Sequence, residues 1–128
     1  MTTPAASSDN ASIPRLALFI ANGDVLHELE TVLRTQYSSL LVVTDREKLA
    51  EFNTPLIIIT DTIHEVAQLK AAQPVEGSQV LVVTQEQDSE STAAAFEVGA
   101  TDYLAYPFVS ADVIEKTERY LEAFRTAA

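Results

Sequence analysis

Pro55-Leu56-Ile57-Ile58-Ile59-Thr60-Asp61 is the most apolar stretch of this 128-residue chain. Four aliphatic residues in a row are too few for a buried helix and suit a strand covered on both faces. The run leaves through Thr60-Asp61 into a helical pattern, with Ile63, Val66, Ala67 and Lys70 spaced for one side and Pro74 and Gly77 as breakers. The same alternation extends in both directions. Upstream, residues 16–20 (Leu-Ala-Leu-Phe-Ile) form a strand, Val25, Leu29, Val32 and Leu33 fall on one helix face, residues 40–43 form a second strand, and residues 48–52 lie in a short second helix. Downstream, residues 80–83 (Val-Leu-Val-Val) are the fourth strand and 89–98 an alanine-rich helix stopped by Gly99. Residues 102–105 are the fifth strand, ending at Tyr106-Pro107. The last helix is expected to start from Ser110 as N-cap, with Val113, Ile114, Thr117, Tyr120, Leu121 and Phe124 facing inward.

Strand and helix alternate five times, without hairpin turn signals. This predicts an α/β fold, a (βα)5 three-layer sandwich around a five-stranded parallel sheet built from right-handed crossovers. Residues 1–14 are rich in Ala, Ser, Thr and Pro without periodicity and are expected to be a disordered tail, leaving one domain over 15–126.

Composition narrows the function. Eight Lys and Arg stand against 19 Asp and Glu, a formal net charge of −11, so the surface repels nucleic-acid phosphates and anionic lipid. No nucleic-acid or membrane partner is expected. With no cysteine, disulfides, thiolate metal sites and thiol catalysis are excluded. No apolar run reaches the roughly 20 residues of a membrane span, and the N-terminus lacks signal-peptide character. A cytoplasmic protein is expected.

In an open parallel sheet, ligands sit beyond the carboxyl ends of the strands. The residues there are Ala21, Asn22 and Asp24; Thr60, Asp61 and Thr62; Thr84 and Gln85; Tyr106 and Pro107. Asp61 stands out, because a carboxylate ending an Ile-Ile-Ile strand is desolvated unless partnered. It reads equally as a functional group and as a cap on the amides of residues 62–65. GxSxG, Walker A and GxGxxG patterns are absent, and glycine only at 23, 77 and 99 leaves no phosphate-cradling loop. No catalytic or metal-ligating set is assigned, and an enzyme is not expected. His27 reads as solvated, His64 as unconnected with Asp61, and Glu86, Asp88 and Glu90 as a solvated acidic loop.

Residues 55–61, the Val-Leu-Val-Val-Thr84 strand and above all Gly99-Ala-Thr-Asp-Tyr-Leu-Ala-Tyr-Pro-Phe108 resemble the CheY-like receiver domain of two-component response regulators, over residues 15–125. The family commonly reads Gly-Ala-x-Asp-Tyr-Leu-x-Lys-Pro-Phe in the last segment. The resemblance implies that Asp61 matches the aspartate phosphorylated by a histidine kinase, Thr84 the hydroxyl that follows the phosphoryl group, and Tyr103 the switch aromatic. The departures are as informative. The family holds Mg²⁺ with two adjacent carboxylates after strand one, where this chain offers Ile20 and Ala21, or Ala21 and Asn22 one residue on; Asp24 lies further along the loop. The family's lysine on strand five is Tyr106, and the Met-Pro-Gly-like loop after the aspartate is missing.

Phosphoryl transfer relies on positioning and charge neutralisation. Each lost electrostatic group costs ~3–4 kcal/mol, or ~10²–10³ in rate. The sequence is therefore expected to encode a degenerate, pseudo-receiver module with no cofactor. It would bind a signalling partner, or a second copy of itself, through the face of the fourth helix, fifth strand and fifth helix. The alternative is a working phosphoacceptor at Asp61, with a histidine kinase as partner and Mg²⁺ as cofactor, Asp24 replacing the missing ligand. A further alternative is a flavodoxin-like ligand-binding protein or enzyme.

Overall fold

The computed structural model describes residues 16–37, 40–42, 46–51, 56–72, 78–85 and 89–127. Residues 1–14, read above as a tail, lie outside these, as do Val43, Phe52, Pro55, Pro74, Gly77, Glu86 and Asp88 and the side chains of Lys70 and Phe124. The elements run β1 (Leu16–Phe19), α1 (Gly23–Arg34), β2 (Leu40–Val42), a 3₁₀ helix (Arg46–Glu51) and β3 (Ile57–Thr60). A 3₁₀ turn (Ile63–Glu65) then leads into α2 (Val66–Ala72), followed by β4 (Gln79–Gln85), α3 (Ser89–Glu97), β5 (Asp102–Tyr106) and α4 (Ser110–Ala127). All pairings are parallel, in the order β2-β1-β3-β4-β5. The chain moves outward from β1 to β2, then returns to lay β3 on the other side of β1. The loops after β1 and β3 therefore meet at the topological switch point.

Alternate strand residues feed two cores, one on each face of the sheet. Leu16, Leu18, Ile57, Ile59, Leu81, Val83 and Leu104 pack with Val25, Leu29 and Leu33 of α1 and Val113 and Leu121 of α4. Ala17, Leu56, Ile58, Val80 and Val82 pack on the opposite side with Leu49, Val66, Leu69 and Ala95. Every residue of β3 is fully buried, which is why it opens on three isoleucines in a row rather than an alternating pattern. This is the three-layer (βα)5 sandwich that the strand pattern predicts.

Three local expectations need correction. The second helix is a 3₁₀ helix over Arg46–Glu51 rather than residues 48–52, and Leu49 is buried on it. The side of α2 that faces the sheet carries Val66 and Leu69, while Ala67 is exposed. The shift arises because Ile63–Glu65 is wound as 3₁₀, which changes the angular phase before the α-helix begins. Ser110 is the first helical residue and not the cap: the carbonyl of Val109 accepts from the N–H of Asp112 and of Val113.

Gly99 ends α3 in the left-handed region, at φ 104°. The N–H of Ala100 reaches the carbonyl of Ala95 at 3.0 Å and that of Gly99 reaches Phe96 at 3.1 Å, a Schellman closure that turns the chain into β5 within a few residues. Leu29 lies at the centre of the first core with no exposed surface. Leu29→Ala is expected to cost about 2–5 kcal/mol in urea unfolding, whereas His27→Ala, on the exposed side of α1, stays within about 0.5 kcal/mol.

Candidate functional site

The register Phe19↔Thr60 sets the end of β1 beside the end of β3, and the two following loops bond to each other. Asp61 Oδ1 accepts the backbone N–H of Ala21 at 2.9 Å, and Oδ2 accepts that of Asn22 at 3.0 Å. The Thr62 hydroxyl donates to Oδ1 at 3.2 Å. Both carboxylate oxygens are thus held by successive amides of the β1–α1 loop, in charge-assisted bonds. The expected alternative, Asp61 capping residues 62–65, is not what forms: the N–H of Thr62 goes to Thr60 Oγ1 at 3.1 Å, and that of Glu65 to the Thr62 carbonyl. His64 is exposed, and the partners of Asp61 are Ala21, Asn22 and Thr62.

Asn22 does two jobs in this loop. While its N–H serves Asp61, its Oδ1 accepts the amides of Asp24 at 2.9 Å and Val25 at 3.2 Å, capping α1. The capping role went unread in the sequence, although Asn-Gly-Asp just before the first periodic apolar residue is a recognisable helix start. Asp24 sits in the first turn of α1, exposed and well placed for the helix dipole.

Thr84, near the end of β4, is buried, and its Oγ accepts from the Thr92 hydroxyl of α3 at 3.3 Å. Tyr106 packs against the α1/α4 core and makes an edge contact with Phe108, ring centroids 5.1 Å apart; the Tyr106-Pro107 bond is cis. Burial raises the Tyr106 phenol above its ordinary pKa, and the Glu28 and Asp24 carboxylates raise it further. Tyr106, which the resemblance sets against the family's lysine, therefore turns its hydroxyl toward acids of α1.

Mg²⁺ bound as in receivers needs carboxylates after β1. The side chains there are Ile20, Ala21 and Asn22, and both Asp61 oxygens already serve backbone donors. Among the described residues no three His, Cys, Asp or Glu side chains group as metal ligands. The residues present do not fit the ion.

A second polar centre, not found from the sequence, lies on β5. Asp102 Oδ1 accepts the Tyr103 N–H at 2.8 Å and Lys116 Nζ at 3.2 Å, and Oδ2 accepts the Tyr120 hydroxyl at 2.9 Å, with Arg119 at 3.8 Å. Lys116 Nζ also donates to the Tyr103 carbonyl at 2.6 Å and lies 3.9 Å from that ring's centroid. Phe96 of α3 meets the Tyr103 ring edge-on at 6.3 Å. The available signal was the spacing of Lys116, Arg119 and Tyr120, at i, i+3 and i+4 on one side of α4.

No family model and no curated protein matches the chain. Among solved structures it is similar to the signal receiver domain of an HD domain-containing protein from Pseudomonas fluorescens, at 18% identity and TM-score 0.72 over 91% of this chain and 92% of that one. It is also similar to the beryllofluoride-activated NtrC4 receiver domain dimer, at 18% identity and TM-score 0.68 over 86% and 98%. A third is an atypical orphan response regulator described with a phosphorylation-independent regulatory mechanism, at 24% identity and TM-score 0.63 over 84% and 95%. The fold is that of a response-regulator receiver domain.

Two measurements check this geometry. Asp61→Ala removes three hydrogen bonds to a carboxylate, two of them from backbone amides, at a partly exposed site, and is expected to lower unfolding stability by about 1–2 kcal/mol. Burial acts to raise the pKa of Asp102, but the bonds from Tyr103, Tyr120 and Lys116 and the Lys116 charge outweigh it, so the folded value lies below the ordinary 3.8. Its stabilisation is complete above 3.8 and is lost as pH falls through the lower folded value. Urea midpoints taken from about pH 5 down to about pH 2.5 should therefore fall less steeply for Asp102→Asn than for the unchanged protein.

Proposed function

We propose that this chain is a non-catalytic signalling module on the receiver fold, acting through protein–protein contact without Mg²⁺-dependent phosphorylation. The observation that carries this reading is the engagement of both Asp61 oxygens by the amides of Ala21 and Asn22. A phosphoacceptor needs one free oxygen as nucleophile and the other beside a cation. Here each oxygen is already held by a backbone amide, which draws electron density from it, and the side chains beside it on the β1–α1 loop, Ala21 and Asn22, carry no charge with which to bind a metal. Tyr106 instead of an ammonium removes the second source of charge neutralisation.

The contact surface would be the face of α3, β5 and α4, which carries Phe96 and Val109 at 45% and 58% exposure. Its partner would be a signalling protein or a second copy of the chain. Among the described residues no helix is long and apolar enough to cross a membrane, and a cytoplasmic setting is part of the proposal.

Amide NMR decides between this reading and a working phosphoacceptor. Millimolar Mg²⁺ followed by beryllofluoride is expected to leave the resonances of Asp61, Thr84 and Tyr103 in place. Saturable shifts at Asp61 and Asp24 that propagate to Tyr103 would restore phosphorylation by a histidine kinase and overturn the proposal.

A further inference from the structure

We propose that Asp102 and Lys116 guard the open edge of β5 against strand pairing with a second copy of this chain. Among the described residues β5 ends the sheet, with β4 as its only strand neighbour. An edge strand presents unpaired N–H and C=O groups that recruit another strand. At Tyr103 both groups are occupied from within. Its N–H donates to Asp102 Oδ1 at 2.8 Å, and its C=O accepts Lys116 Nζ at 2.6 Å.

The two guarding side chains are themselves fixed. Lys116 Nζ lies 3.2 Å from Asp102 Oδ1 and 3.9 Å from the centroid of the Tyr103 ring, and the Tyr120 hydroxyl holds Asp102 Oδ2 at 2.9 Å. Their side chains are 22% and 14% exposed, so the bonds are shielded from water. A strand pairing along the edge at Tyr103 must displace a charged, partly buried pair to gain its ladder bonds there.

The chemistry of the edge points to a second copy as the competitor that is excluded. What it accepts is extended backbone offering N–H and C=O at two-residue spacing, and β5 is itself such a strand. Pairing two β5 edges across a two-fold axis would continue the sheet into one sheet spanning both copies. It would also cover the groove of about 330 Å³ that opens between β5 and α4 beside Tyr103, Ala105 and Pro107. Exposed Val98 and Val109, at 42% and 58%, flank the two ends of the strand and would gain cover in the same event. This contact lies within the face proposed above but is made backbone to backbone along β5, which distinguishes it from association carried by the side chains of α3 and α4.

The test is the mass in solution by light scattering at matched concentration. Lys116→Met keeps the apolar stem but removes the donor, and is expected to double the mass relative to the unchanged protein. Arg119→Ala makes the same change of charge without touching backbone, and is expected to leave the mass as it was. A folded Lys116→Met protein that keeps the original mass, or an Arg119→Ala protein that doubles as well, overturns the guard. Amide exchange in the unchanged protein gives a reading that needs no variant. The Tyr103 N–H should exchange at least about tenfold more slowly than that of Ala105, two residues on along the same edge; equal rates overturn the proposal.

Discussion

Complete burial of β3 is the constraint on which the rest depends. Leu56 through Thr60 expose no surface, so sheet or helix must cover the strand on every side. The chain meets this by placing β1 and β4 on its two edges and a helical layer on each face. Asp61 comes immediately after that buried run, with its carboxylate at the mouth of the sheet. Donors must be near, and the neighbour is β1, whose following loop turns two amides toward the carboxylate. The position of the candidate site is therefore a product of sheet order as much as of the residues that form it.

Most of the fold could be read from runs of side chains, because a strand covered on both faces announces itself by unbroken aliphatic residues. Phase was harder to read. Ala67, expected on the side with Val66, is exposed and Leu69 is buried there because three residues wound as 3₁₀ precede α2, and nothing in Ile63-His64-Glu65 distinguishes that winding from an α-turn. Ser110 has the chemistry of a cap, yet the Val109 carbonyl opens the helix, because a cap is defined by backbone position and a side chain only reinforces it.

The candidate site divides in the same way. Asp61 could be singled out as a carboxylate in an unfavourable place. Its partners could not, since backbone amides have no letter of their own and Ala21 looks inert in a sequence. The centre at Asp102 was hidden for a different reason. Its side-chain donors lie 14 to 18 residues downstream on another element, so only the packing of α4 against β5 brings them together. Thr92 on Thr84, and Phe96 on Tyr103, likewise join α3 to β4 and β5 through contacts that local pattern cannot foresee.

The amide clamp on Asp61 changes how an aspartate at the end of a third strand should be interpreted. An acid that satisfies two backbone donors and fixes the loop that starts α1 is useful to the folded chain whether or not it ever carries a phosphoryl group. That structural role alone is a reason for an aspartate to stand at this position. Its presence in a genome sequence, taken alone, is then no marker of phosphorelay activity; the residues on the facing loop are the better diagnostic.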